Sequence, residues 1–188
     1  MNRQVGGPTP YILGMAPKRA PNVIVIMGVA AAGKTHIGKK LAAATGWTFY
    51  DADDYHSAKN KAKMHAGHGL TDADRRPWIA SLRQLIAGVI ARRGHGILAC
   101  SALKQSYRDG LVPPKAPRGA VRFVYLDVPR AVLEKRLEKR VQTHSHFAGP
   151  SLLDSQLATL EKPLDALWLD GTRPPRKLVE TMRDAYQI

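Results

Sequence analysis

Apolar and polar positions alternate along this chain in blocks, short continuous apolar runs followed by longer stretches of helical period. Residues 23–27 (VIVIM) form a run rich in β-branched side chains, as a strand buried on both faces does. A glycine-bounded loop follows at once. An amphipathic helix is expected over residues 34–44, closed by Gly46, and a second strand over 47–50 that delivers Asp51, Asp53 and Asp54 at its C-terminal end. Residues 55–70 are polar and basic, punctuated by Gly67 and Gly69, and no element is assigned to them. Asp72 marks a helix start that Pro77 interrupts. The body of that helix is expected over 78–92, where Ile79, Leu82, Ile86, Val89 and Ile90 recur at helical spacing. Further strands are expected at 97–100, 121–126 and 166–169. Helices are expected from Pro129 through residue 140, over 152–160, and from the Pro174-Pro175 pair onward.

Strands alternating with helices predict an α/β fold with a five-stranded parallel sheet and helices on both faces. Ligands of such sheets bind beyond the C-terminal ends of the strands. The phosphate loop, Asp51 and Asp53, and the 100–101 corner are all expected there, around one crevice. A chain of 188 residues suits one domain. The expected organisation is a flexible tail over 1–22 and a single domain over 23–188.

Composition narrows the class. No apolar run approaches the roughly 20 residues that cross a bilayer, so no membrane role is expected. One cysteine, Cys100, excludes an internal disulfide and fits a reducing, cytoplasmic setting. Lys plus Arg number 29 against 15 Asp plus Glu, a formal charge of +14, which raises a nucleic-acid reading. The basic residues are spread along the chain, however, and an enzyme that grips polyanionic substrates needs positive charge too. Nucleic acid is therefore not the expected partner.

The chemistry begins with G-x-x-x-x-G-K-T at residues 28–35, written GVAAAGKT. Gly28 and Gly33 let the backbone turn so that the N–H groups of Val29, Ala30, Ala31 and Ala32 wrap a phosphate. Lys34 reaches the outer phosphates and the Thr35 hydroxyl can ligate Mg²⁺. The N-terminus of the following helix adds a favourable dipole. Set between an apolar strand and a helix, this loop predicts ATP as the phosphoryl donor. Asp51 and Asp53, on one side of a strand, supply a carboxylate to orient and deprotonate an acceptor hydroxyl and another to hold Mg²⁺ through water. No N-K-x-D guanine-reading signature occurs. These residues predict a phosphotransferase with a small acceptor and leave that acceptor unnamed.

Residues 50–78, YDADDYHSAKNKAKMHAGHGLTDADRRPW, resemble the gluconokinase family, whose pattern runs D-x-D-D-x-H, N-x-x-K-M and D-x-D-R-x-P-W. ACSALKQSYRD at 99–109 and SLLDSQLATLEKP at 151–163 are similar to two further blocks of that family. The resemblance implies transfer of the ATP γ-phosphate to the 6-hydroxyl of D-gluconate. It also implies a P-loop NTPase fold of adenylate-kinase-like type with a mobile lid, placed here at about 141–150, and a homodimer. By matching position, Lys34 and Asp53 are the catalytic pair, with Asp53 the base, and Asp51 joins Thr35 at Mg²⁺. His56, Arg75, Lys104 and Arg108 are expected at gluconate or the transferring phosphate. Arg136 and Arg140 are expected at the nucleotide and lid.

The chain departs from the family pattern in three places. Ala31 replaces a glycine, with a backbone cost of roughly 1–2 kcal/mol if φ there is positive. His36 replaces a hydroxyl residue. Residues 140–147 (RVQTHSHF) are longer than the family's R-x-G-H-F. A rival enzyme class is a kinase of the same architecture resembling shikimate kinase. The charge leaves a nucleotide-dependent RNA-binding protein as a third reading.

Overall fold

The structure, a computed structural model, describes residues 20–66, 68–143 and 150–188. Five strands make one parallel sheet: β1 (Val23–Met27), β2 (Thr48–Asp51), β3 (Gly96–Ala99), β4 (Val121–Asp127) and β5 (Leu167–Asp170), in the order β2-β3-β1-β4-β5. β1 lies at the centre, paired in register Val23 to Gly96 on one side and Val23 to Val121 on the other. That position explains its unbroken apolar run, since all five of its residues are buried.

Alternate side chains of β1 feed two separate cores. Ile24 and Ile26 pack with Ile37 and Leu41 of α1 (Lys34–Thr45), Leu133 and Leu137 of α5 (Arg130–Thr143), and Leu178 and Met182 of α7 (Pro175–Tyr186). Val23, Val25 and Met27 pack on the other face with Trp78, Leu82, Ile86 and Val89 of α3 (Asp72–Ala91) and Leu111 of α4 (Gln105–Leu111). Each fully buried Leu or Ile contributes about 1.5–3 kcal/mol, so the two cores together hold the sheet between its helical layers. The two remaining helices are α2 (Ala58–His65) and α6 (Pro150–Thr159).

Three local readings change. Residues 58–65 are a helix, where the sequence reading assigns no element. Its pattern, AKNKAKMH, carries no apolar stripe. It is held instead by a Ser57 cap on the Asn60 N–H and by bonds to α3: Lys63 Nζ to Asp74 Oδ2 at 2.6 Å, and Asn60 Nδ2 to the Asp74 carbonyl at 2.8 Å. Secondly, α3 begins at Asp72 and runs through Pro77. A reciprocal capping box makes this possible: Thr71 Oγ1 accepts from the Asp74 N–H and Asp74 Oδ2 from the Thr71 N–H. Pro77, six residues in, removes a single intrahelical bond. Finally, β2 stops at Asp51, and Ala52–Tyr55 form a 3₁₀ turn. Strand alternation therefore does not set the relation of Asp51 to Asp53.

The domain reaches slightly further back than residue 23. The Asn22 and Val23 N–H groups both donate to the Ala120 carbonyl, and Asn22 Nδ2 donates to the Gly94 carbonyl at 2.9 Å. The expected tail up to residue 19 and residues 144–149 of the expected lid lie outside the described residues. The expected lid begins, at 141–143, as the last turn of α5, and ends at Pro150, the first residue of α6.

Candidate active site

The phosphate loop leaves the end of β1 and enters α1 with the backbone its glycines require. Gly28 lies at φ 142 and Gly33 at φ 101. A Cβ on Gly28 would stand 3.2 Å from the Leu126 carbonyl oxygen and 3.3 Å from Ala32 Cβ, so β4 presses against the loop from below. Ala31 sits at φ 60, in the left-handed region, where the family pattern has glycine. Val29 and Ala32 are buried and fix the loop to the core, leaving Ala30 and Ala31 half-buried at its crest.

Lys34 Nζ donates to the Val29 carbonyl at 2.9 Å, folding back over the loop it belongs to. Thr35 Oγ1 donates to Asp51 Oδ2 at 2.9 Å, and Asp51 Oδ1 accepts from the Asp53 N–H at 3.2 Å. One carboxylate thus joins the start of α1 to the 3₁₀ turn after β2, and Asp53 is exposed on that turn. Cys100, just after β3, donates its N–H to the Ile26 carbonyl at 3.0 Å, and the Gly28 N–H donates to the Ser101 carbonyl at 3.4 Å. Burial pushes the Cys100 thiol up to about 12. The expected convergence at the strand ends is present for the loop, Asp51, Asp53 and Cys100.

A hydroxyl and a carboxylate 2.9 Å apart, beside the turning backbone of the loop, form an all-oxygen donor set of the kind Mg²⁺ takes. The residues fit ATP with Mg²⁺. No group of three or more His, Cys, Asp or Glu able to hold a metal alone occurs among the described residues.

On the other flank, the 3₁₀ turn is braced by α3. Trp78 Nε1 donates to the Ala52 carbonyl at 2.7 Å, and the indole stacks on His56 with centroids 4.4 Å apart and planes 10° apart. His56 is 9% exposed, and its Nδ1 is buried with no hydrogen-bond partner. Burial, with Arg75 and Lys61 nearby, lowers its pKa from 6.5 to about 4, so the ring is neutral at pH 7. Arg75, one turn before Trp78, donates to the Leu70 carbonyl and lies over the Tyr107 ring, 5.6 Å from its centroid. Lys104, on the loop after β3, lies 5.4 Å from the same centroid. Arg75, Lys104 and His56 are therefore gathered on the α3 side of the crevice.

Arg108 is not with them. It is 2% exposed, and its guanidinium turns inward: Nη1 donates to the Ala102 and Leu103 carbonyls at 3.0 and 3.1 Å, and Nε and Nη2 donate to Gln105 Oε1. It braces the loop that carries Lys104 and presents no donor to an acceptor molecule. Glu161 pins the same loop, its Oε2 accepting from the Gln105 N–H at 2.6 Å and its N–H donating to the Leu103 carbonyl.

Arg136 bridges two chain segments. Its Nη1 donates to the Ala31 and Ala32 carbonyls at 3.2 and 3.3 Å, and its Nη2 to the Gly171 carbonyl at 2.8 Å. It lines a cavity of about 390 Å³ with Ala31, Gly33, His36, Thr172 and Arg173, on the far side of the loop from Lys104. The side chain of Arg140 lies outside the described residues. One contact has no counterpart in the residue roles read from sequence: the Ala30 N–H donates to Gln156 Oε1 of α6 at 2.6 Å. The only sequence sign of it is the S-L-L-x-S-Q block, which does not by itself say that its glutamine reaches the phosphate loop.

Comparison with known proteins gives the family. Residues 23–163 match the family model described as AAA domain. A gluconokinase of Gluconobacter oxydans is 39% identical over 171 residues, covering 89% of this chain and 92% of that protein. A probable gluconokinase of Xenopus tropicalis is 42% identical over 153 residues, covering 75% of this chain and 79% of its own. The crystal structure of a gluconokinase from Sinorhizobium meliloti superposes with a TM-score of 0.74 at 38% identity, over 90% of this chain and 92% of that one. With its five-stranded parallel sheet, its phosphate loop and relatives of this similarity over most of their length, the chain belongs to the gluconokinase family of P-loop kinases.

Proposed function

We propose that this protein transfers the γ-phosphoryl group of ATP to the 6-hydroxyl of D-gluconate, giving 6-phospho-D-gluconate and ADP. The observation that supports the acceptor is the pair of cations, Arg75 and Lys104, gathered around Tyr107 on the α3 side of the crevice. A linear sugar acid needs a carboxylate grip at one end and a base at the other, and this crevice offers both.

The gluconate 6-oxygen attacks the γ-phosphorus, the bond from that phosphorus to the ADP oxygen breaks, and the hydroxyl proton passes to the Asp53 carboxylate. Gly28 to Thr35 hold the donor phosphates, and Lys34 places its ammonium where charge grows on the transferring group. Arg136 faces the nucleotide, with Arg140 assigned to the same side. Neutral His56, held by its stack on Trp78, is assigned to a hydroxyl of the acid. Thr35 and Asp51 would hold Mg²⁺, which supplies charge neutralisation at the β- and γ-phosphate oxygens. A reducing cytoplasm suits the single buried thiol of Cys100. The assembly proposed is a homodimer, as the family resemblance implies, and neither membrane nor nucleic acid enters the reaction.

A coupled ADP-release assay with Mg·ATP and a panel of D-gluconate, other aldonates and shikimate tests this reading. Gluconate should be turned over fastest, and a preference for shikimate or for no sugar acid would overturn it. In the same assay Asp53→Asn should lower kcat by roughly 10²-fold or more with little change in the KM for ATP, the scale of a lost general base. Near-native kcat in that variant would remove Asp53 from the proton transfer.

A further inference from the structure

Asp72 opens α3 and draws together the donors that the acceptor's carboxylate would need. Its two oxygens accept from Lys104 Nζ at 3.1 and 2.9 Å, one of them also accepts from the Tyr107 hydroxyl, and Arg75 Nη1 stands 3.9 Å away. Those donors come from different parts of the chain: the loop after β3, α4, and the next turn of α3. Tyr107 donates to Asp72 while its ring lies beneath both cations. A single carboxylate thus sits at the focus of two positive charges and a hydroxyl, an arrangement that recognises a carboxylate of any origin.

Asp72 is not built into that focus as a buried ion pair would be. Its side chain is 57% exposed, so the carboxylate can turn out to water and be solvated at small cost. Lys104 and Arg75 are less exposed, at 31% and 28%, and their backbone is anchored: the loop of Lys104 by Arg108 and Glu161, and Arg75 by α3 and its bond to the Leu70 carbonyl. The Asp72 carboxylate is thus the most exposed member of the cluster. The Tyr107 and Lys104 bonds hold it below its usual range, and the Asp72 bond holds the Lys104 ammonium above its own.

Resting on the function proposed above, we infer that Asp72 is an internal stand-in for the carboxylate of the sugar acid. It occupies Lys104, Tyr107 and Arg75 in the free enzyme and yields its place when the acceptor binds. The same device sets specificity. A carboxylate can replace Asp72 charge for charge, whereas the hydroxyl of a neutral polyol cannot, so the polyol is refused by an occupied site.

The experiment compares Asp72→Asn with the wild type, measuring KM for D-gluconate and for D-glucitol, which has the same chain with CH₂OH in place of the carboxylate. Relieved of its internal competitor, Asp72→Asn should lower the KM for gluconate by about two- to fivefold, the scale of an exposed ion pair. The KM for ATP should stay put. An unchanged or raised gluconate KM overturns the inference, because Asp72 would then be positioning the cations and not competing for them. If the variant does not fold, the wild type crystallised with gluconate decides. Lys104 Nζ should bond the ligand carboxylate with Asp72 turned away, and a complex in which Asp72 keeps Lys104 sinks the idea. Should the wild type refuse gluconate and accept another aldonate, the function reading fails and the KM of Asp72→Asn is compared with that of the wild type for that acid. A protein that phosphorylates only uncharged polyols overturns the stand-in itself.

Discussion

Ala31 and His56 show how single side chains at the site trade stability for placement. Ala31 accepts φ 60, a conformation that costs a residue with a Cβ roughly 1–2 kcal/mol, and its carbonyl is held there by Arg136. His56 is placed by stacking on Trp78, at the expense of a buried, unpartnered nitrogen and a proton affinity far below that of an exposed imidazole. That affinity has a direct consequence for stability. The unfolded chain binds a proton at His56 near pH 6.5, the folded chain only near pH 4, so folding is favoured in full above 6.5 and loses ground as the pH falls toward 4. The depressed carboxyls of Asp72 and Asp74 act in a separate window, below the ordinary aspartate range. Urea unfolding midpoints followed from pH 7 to pH 4.5 should therefore fall in the wild type and fall less steeply in His56→Asn. Equal slopes would mean that the ring is protonated in the folded state.

At the scale of elements, the site depends on the 3₁₀ turn Ala52–Tyr55, which no apolar pattern of its own holds in place. Its one buried residue is Ala52, and the Trp78 indole fixes it through a bond to the Ala52 carbonyl. Trp78→Phe keeps most of the apolar contact and removes that bond, leaving a buried carbonyl unpaired. The cost should be about 1–3 kcal/mol of stability. Because Asp53 rides on the same turn, kcat should fall by roughly tenfold or more while the KM for ATP holds, as a small misplacement of a reacting group does. A Trp78→Phe enzyme with native kcat would show that the turn is held by other contacts. The strands and the long helices were legible in the sequence because their own periodicity dictates them: VIVIM is a central strand, and Leu82, Ile86 and Val89 are one face of a helix. The turn and α2 were not, since tertiary bonds from Trp78, Lys63 and Asn60 decide them. Arg108 was misplaced for the same reason. A sequence block shows that an arginine belongs to the site region but not whether its guanidinium faces the ligand or the loop behind it.

Across the whole molecule, the phosphate loop is legible because its glycine spacing carries its own backbone geometry, but what holds the loop from outside is not. That support comes from far along the chain, from Gln156 of α6 on the Ala30 N–H and from Arg136 of α5 on the Ala31 and Ala32 carbonyls. Arg136 also reaches Gly171, beyond β5, so one guanidinium joins the loop after β1 to the corner after β5 at the C-terminal end of the sheet. Arginine serves these carbonyls from two separate nitrogens of a rigid plane, whereas the donors of lysine all radiate from one atom on a flexible stem. Both ends of that bridge line the 390 Å³ cavity beside the loop, together with His36 and Arg173. Arg136→Ala should consequently raise the KM for ATP by about tenfold, the equivalent of roughly 1.4 kcal/mol, and leave the KM for gluconate near its native value. Arg136→Lys should recover little of the loss. Arg140→Ala, four residues on, should raise the KM for ATP by less. Steady-state kinetics on the three variants decide the matter. A larger effect at Arg140 would move the nucleotide contact along α5, and full rescue by lysine would mean that Arg136 acts through its charge alone and not by bridging the two loops.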